Sequence, residues 1–478
     1  MFIYVHNSPA AIGRAVVFYI GGKTCTLGTS LYKLVACVLA ETKCKTCSIV
    51  LLLLNGANAT TATWMLLRPA HHSKKGYRVA VGAKGLFLTS NKVTMQQRNY
   101  ALDVFRGATV ALMILVNNPG TWSAIYAPLD HAEWHGCTPT DLVFPFFLFA
   151  VGNALAFVMP KFVQMGSGFF AQKVVKRTIL IFVIGLLLNW SPFVKWDNDV
   201  LVSKPWEMVR IMGVLQRIAI CYGVAAVLVF WLSHRMAMIA AAVILLAYWG
   251  MCYGLGNGAE PYTLKGYFGV SIDSWLLGIN HLYKGEGVPF DPEGIASTPA
   301  AMVEVMFGYF AGAYIKQKGS TYEMLVHLFL AGVLCLFVGY CWDMVFPINK
   351  KIWTSSYTVY TSGLALLVLS VLIYVLEIQQ WKGVWSKFFD VFGKNPLFIF
   401  VLSGLLPRLL GLIRLSHGVD VATGKPLYIS PFGWWYHTVC KPLSADLRLG
   451  SLVYALTMIG FYWLIVYVMD KRKIYVKV

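Results

Sequence analysis

Long apolar runs separated by polar connections dominate the chain from Met95 onward, and their lengths set the class of fold. Ten runs read as spans, at about 103–117, 141–159, 174–190, 211–231, 236–254, 299–315, 323–341, 357–377, 391–412 and 450–469. With their flanks these approach the roughly 20 residues that a helix needs to cross a bilayer. Backbone groups in lipid must be satisfied internally, which leaves helices or closed barrels. The expectation is an all-α, polytopic integral membrane bundle of about ten transmembrane helices after residue 95.

The connections between runs alternate in character. One set is short and basic, carrying Lys173, Lys176 and Arg177, then His234-Arg235, Lys316 and Lys318, Lys382 and Lys387, and the tail Lys471-Arg472-Lys473. The other set, 118–140, 191–210, 255–298, 342–356 and 413–449, is longer and holds most of the acids and many tryptophans. Short basic loops stay in the cytoplasm, so both ends of 95–478 are expected there, in an inner or plasma membrane. The tryptophans facing outward suit stacking on sugar rings as well as an interfacial aromatic belt.

Composition agrees with this pattern: 58% of residues are hydrophobic and 13% charged, with a mean hydropathy of +0.63. A net charge of +19 raises the question of nucleic acid, but apolar runs separate the basic residues and no compact basic face forms. No nucleic-acid partner is expected, and the lipid bilayer is the expected surroundings. The charge is uneven. Residues 1–94 hold eleven Lys/Arg against the single acid Glu41, whereas 95–478 hold twenty-nine against twenty. That break divides the chain into an atypical N-terminal extension, 1–94, which reads as a mispredicted start, and a transmembrane domain, 95–478. Cys44-Lys-Thr-Cys47 lacks a second pair at ligand spacing, and no metal is expected.

Chemistry concentrates between the first two runs. From Asn117 to Pro145 the chain packs two histidines and three carboxylates: Asp130, His131, Glu133, His135 and Asp141. An imidazole at a membrane face can act as nucleophile or general base. Asp141 has two readings. It can fix the histidine tautomer, or it can cap the second helix, since Thr138-Pro139-Thr140-Asp141 is a helix-start sequence.

These residues resemble a family. Leu102-Asp103-Val104-Phe105-Arg106-Gly107, Val116-Asn117 and His131-Ala-Glu-Trp134-His-Gly136-Cys-Thr138-Pro-Thr-Asp141-Leu-Val-Phe-Pro145 look like the N-terminal signature of the heparan-α-glucosaminide N-acetyltransferase family. The likeness continues in Gly213-Val-Leu-Gln216-Arg217, Phe290-Asp291-Pro-Glu293-Gly294, Phe346-Pro347-Ile-Asn349-Lys350-Lys-Ile-Trp353 and Gly393-Lys394-Asn395-Pro396. It covers about 97–470 and none of the first 94 residues. The resemblance implies transfer of acetyl from cytosolic acetyl-CoA, a co-substrate, to an amino sugar or glycan on the far side of the membrane. His131 matches the histidine implicated in handling the acetyl group, and Asn117 an asparagine beside it. Asp141 completes the expected catalytic set. Asp103, Arg106, Arg217, Asn349 and Lys350 are expected on the coenzyme.

Each assignment has a plainer rival. His135 competes locally with His131. Asp103 and Arg106, one helical turn apart, also make a structural ion pair, and Arg217 and Lys350 share that ambiguity. Asp291 and Glu293, two apart in a Pro/Gly turn, lack the opposed geometry of a glycosidase pair. The rival functions are a transporter or flippase of a solute or saccharide, and an O-acetylase of an envelope glycan. Transporters place ionisable groups near mid-membrane, whereas here only Glu304, Arg217 and Arg408 fall within runs. A homodimer is one assembly open to such a bundle.

Overall fold

The computed structural model describes residues 99–476 apart from 198, 258–259, 420–423 and 425; before residue 99 it describes only the backbone of seven short strands. The chain divides into two units, 1–97 and 98–478. In the first, strands Ile3–Tyr4, Val16–Ile20 and Lys23–Leu27 form an antiparallel sheet, and strands between Ile49 and Leu86 form another. Cys44 and Cys47 lie outside the described residues, as does most of the expected extension.

The second unit is helical. Its elements are α1 (Tyr100–Asn117), α2 (Val143–Met165), α3 (Ser167–Trp190), α4 (Val214–Trp231), α5 (His234–Gly254), α6 (Gly269–Leu277), α7 (Thr298–Lys318), α8 (Tyr322–Asp343), α9 (Ser355–Ile373), α10 (Val384–Lys394), α11 (Pro396–Leu410), α12 (Pro431–Trp435) and α13 (Leu447–Lys471). Two short hairpins, Val194–Asp197 with Val200–Ser203 and Leu415–Val419 with Pro426–Ile429, sit in its connections. The fold is thus a helical membrane bundle with little strand.

Every expected span falls on a helix, but the count of ten is not reached. Among the described residues, seven helices are long and apolar enough to cross a membrane, and a bent pair raises this to eight. The expected span 174–190 lies on α3, whose first turns carry Lys173, Lys176 and Arg177. The span 299–315 lies on α7, diluted by Glu304 and small residues. The span 391–412 is two helices: α10 and α11 meet at 78° across Asn395, where Pro396 supplies no amide donor to continue the first.

Small residues let the inner helices approach closely, as membrane interfaces require. A Cβ on Gly152 of α2 would lie 1.9 Å from the Val305 carbonyl oxygen of α7, and one on Gly308 would lie 2.0 Å from that of Phe149. The same device joins α1 to α10, where a Cβ on Gly107 would meet the Phe389 carbonyl at 1.7 Å. Helices α5, α8 and α13 stand outermost, with rows of exposed apolar residues. Such rows are the lipid-facing surface of a bundle.

Candidate active site

The connections after α1, α3, α5 and α8 gather at one end of the bundle, and most of the titratable groups singled out in the sequence meet there. Asp141 organises them by using its two oxygens differently. Its Oδ2 accepts from the Thr138 amide at 3.0 Å, the Thr138 hydroxyl at 3.1 Å and the Ala132 amide at 3.1 Å. This is a capping box on the 3₁₀ turn Pro139–Leu142 that leads into α2. Its Oδ1 lies 2.7 Å from Nδ1 of His131 and 3.3 Å from the Lys350 ammonium. Both readings of Asp141 therefore hold at once. Capping fixes the carboxylate, and the fixed carboxylate holds the imidazole.

Asp141 is buried while the His131 side chain is 39% exposed, so the ring is anchored at one nitrogen and open at the other. When Nδ1–H donates to the carboxylate, Nε2 keeps its lone pair for a substrate. Lys350 Nζ lies 3.1 Å from the same Nδ1. Burial lowers the Lys350 ammonium, against the pull of Asp141 and Glu293. The Cys137 thiol is pushed up to about 12 by burial and by Asp141, against the opposing pull of Lys350, which removes it as a thiolate nucleophile.

The loop that carries Lys350 is built from buried polar contacts. The Asn349 side chain accepts from the Ile352 amide at 3.0 Å, the Asn349 amide donates to the Thr354 hydroxyl at 3.0 Å, and Nδ2 of Asn349 stands 3.5 Å from Nδ1 of His135. Trp353 stacks edge-on against Phe144 of α2, and Tyr357 donates to the Asp141 carbonyl at 2.6 Å. Arg217, fully buried near the start of α4, lies over the Trp353 ring at 5.2 Å. Its Nη2 donates to the Gly294 carbonyl at 2.8 Å and to Ser297, while its Nε and Nη1 have no protein partner. Arg217, Asn349 and Lys350 thus belong to the His131 end.

Three expected residues lie apart from this cluster. Asn117 is exposed at the last turn of α1, and it is not among the groups hydrogen-bonded to His131. Asp103 and Arg106 sit at the other end of α1, paired at 3.3 Å, with Arg106 also donating to the Gly393 carbonyl at 3.1 Å. An ion pair that ties α1 to α10 is the plainer of their two readings.

One functional group escaped the sequence reading. Arg210 binds Asp291 through Nε at 2.9 Å and Nη2 at 2.5 Å, and also holds Glu293. This clasp locks the 255–298 connection onto the segment just before α4. The Asp291-Pro-Glu293 motif was visible, but its cation, at the end of another connection, was not. Beside the cluster, His135, Cys137, Tyr340, Asp343, Ile348 and Tyr360 line a cleft of about 560 Å³. Among the described residues no group of three His, Cys, Asp or Glu side chains could hold a metal ion.

Fold and site together define a polytopic helical membrane protein with an anchored, half-open histidine at one end of the bundle. Residues 98–255 match the family described as heparan-alpha-glucosaminide N-acetyltransferase, catalytic. The heparan-alpha-glucosaminide N-acetyltransferases of Homo sapiens and Mus musculus are each 29% identical, over 357 and 359 residues, covering 63% of this chain and 52% of theirs. The chain is similar to these proteins over that region, and it spans about half the length of the curated relatives it matches.

Proposed function

We propose that the chain is a membrane acetyltransferase that moves the acetyl group of acetyl-CoA to the amine of an amino sugar or glycan, with His131 at the centre of the transfer. The observation that carries this reading is the 2.7 Å contact of Asp141 with Nδ1 of His131 in a chain similar to N-acetyltransferases. A carboxylate on one ring nitrogen leaves the other as a base or nucleophile and stabilises the imidazolium that either role creates. In the covalent route Nε2 bonds the thioester carbonyl carbon, the carbon–sulfur bond breaks and CoA leaves as thiolate. The neutral acceptor amine then bonds the acetyl carbon, the bond from that carbon to Nε2 breaks, and the amine proton passes to the released imidazole. In direct transfer the amine nitrogen bonds the thioester carbonyl carbon while Nε2 accepts its proton, the carbon–sulfur bond breaks and CoA leaves as thiolate.

The surrounding donors fit an acyl donor. Arg217 offers two buried nitrogens, Nε and Nη1, without protein partners, and Lys350 places a cation beside His131. Both suit carbonyl oxygens or developing negative charge. A buried polar row on α9, Ser355, Ser356, Thr358, Thr361 and Ser362, descends from this end to Glu304 of α7. On this reading both ends of the 95–478 domain are cytoplasmic and His131 faces outward.

Purified protein given radiolabelled acetyl-CoA without acceptor tests the reading. Label retained on His131 supports the covalent route, and CoA release only on adding glucosaminide supports direct transfer. Failure to bind acetyl-CoA, together with movement of a solute in proteoliposomes, overturns it in favour of a transporter.

A further inference from the structure

The cleft beside the His131 cluster has two properties that the acetyl-transfer reading does not use. It shares its walls with the cluster, and one wall belongs to the lipid-facing surface. The segment 131–141 and the loop 344–354 form both sites, stitched together by the Gly136 amide donating to the Ile348 carbonyl at 2.7 Å and by the approach of Asn349 to His135. Cys137 lines the cleft and feels the charges of Asp141 and Lys350. The cleft and the His131 cluster are thus built on the same two segments.

The lining suits a pyranose. Tyr340 and Tyr360 supply aromatic faces, Asp343 a carboxylate, and His135 an imidazole. Sugar rings offer an apolar face and many hydroxyls, and a sugar amine is cationic until it reacts. A volume of about 560 Å³ falls in the range of roughly 300–1,000 Å³ typical of small-molecule sites. Burial lowers the His135 imidazole, against a weaker pull from Asp343, so it adds no positive charge to repel an ammonium.

The direction of entry follows from α8. Leu330, Leu334, Phe337 and Tyr340 are all about 60% exposed and recur at the three- and four-residue spacing of one helix face. On an apolar spanning helix that face meets lipid, and Tyr340 closes it in the last turn, at the depth where tyrosine meets headgroups. Tyr340 also lines the cleft, so the cleft borders the headgroup layer.

We propose that this cleft is the acceptor subsite and that it takes an amino sugar carried on a membrane anchor, entering sideways from the headgroup layer. The inference rests on the acetyl-transfer reading, and the experiment separates the two. Protein in lipid nanodiscs is given acetyl-CoA and either a glucosaminide on a dialkylglycerol anchor or soluble methyl glucosaminide. The anchored acceptor is expected to show about tenfold or greater advantage in kcat/KM. Tyr340→Ala and His135→Gln should raise the KM for the anchored acceptor by about tenfold, with the KM for acetyl-CoA unchanged. Thermal unfolding in the same nanodiscs shows that the variants fold. Equal use of the two acceptors, or variants that shift the KM for acetyl-CoA instead, overturns the inference and leaves acetyl transfer standing. Wild-type protein that turns over no acetyl-CoA with or without acceptor overturns both.

Discussion

At one end of the bundle Asp141 divides its oxygens between a helix start and His131; at the other, Lys394 shares its ammonium between Asp390 and Asp470, at 2.8 and 2.9 Å. The second arrangement continues outward. Asn395 donates to the Ile474 carbonyl and accepts from the Val476 amide, and Arg106 reaches the Gly393 carbonyl. These contacts tie α1, α10, α11 and the tail after α13 into a joint. The His131 end instead presents an imidazole anchored at one nitrogen and a buried guanidinium with two nitrogens unmatched by protein. Charged residues near each other do not by themselves mark chemistry. What distinguishes the ends is whether hydrogen-bonding capacity is matched within the protein or left unmatched.

The comparison breaks most directly at His131. His131→Ala should lower acetyl transfer by about a thousandfold, within the range for losing a positioned base or nucleophile, while the protein still inserts and folds. His135→Ala should leave turnover at saturating acceptor far less affected. Steady-state kinetics on folded, detergent-purified protein decides it, and equal losses would move the centre away from His131. Asp141→Asn should cost about a hundredfold, since an amide holds the ring but does not stabilise its charge.

The joint should respond in the opposite way. Lys394→Met is expected to destabilise the fold by about 1–3 kcal/mol, the cost of removing one partner of a largely buried pair, and to leave kcat per folded molecule unchanged. Thermal unfolding in detergent and active-site-normalised kinetics measure the two effects. A large drop in kcat at constant stability would place the joint in the reaction.

Much of this was legible in the sequence because membrane helices write themselves in composition. Run lengths located the helices, and the Thr138-Pro139-Thr140-Asp141 spelling located the start of α2 and its cap. The kink at Asn395 was hidden because α10 and α11 form one apolar run to a hydropathy reading, and only Pro396 hinted at the break. The site was half legible. His131 and Asp141 are ten residues apart, so their pairing is nearly local. Lys350 reaches them from 219 residues away, and Arg210 meets Asp291 across 81, separations at which spacing carries no information. Asp103 and Arg106 showed the converse failure. Their one-turn spacing signalled a pair, but not that the pair lies at the far end of α1 from the histidine.

A last contrast, which appears only as pH rises, tests whether the His131 end tolerates a charge that the joint would neutralise. Asp273 on α6 is buried against the turn that carries Gly294 and accepts from the Ala296 amide at 3.0 Å. Burial raises its carboxyl to about 6, with the Ala296 amide and Arg217 only partly opposing and Asp291 adding to the rise. The folded state then holds the proton more tightly than the unfolded chain, so stability falls as pH rises through the interval between the ordinary value of about 4 and the folded value. Below that interval Asp273→Asn should be close to neutral, because the side chain is already uncharged and the amide oxygen can still accept from Ala296. Above about pH 6 the variant should be more stable than wild type by about 2–3 kcal/mol at most. Thermal unfolding from pH 4 to 8 reads this as a gap between the two proteins that opens with pH. For Lys394→Met, whose acids are paired, the gap should stay level from pH 5 to 8. If the Asp273 gap is level as well, that carboxylate is satisfied when charged and this part of the contrast between the ends fails.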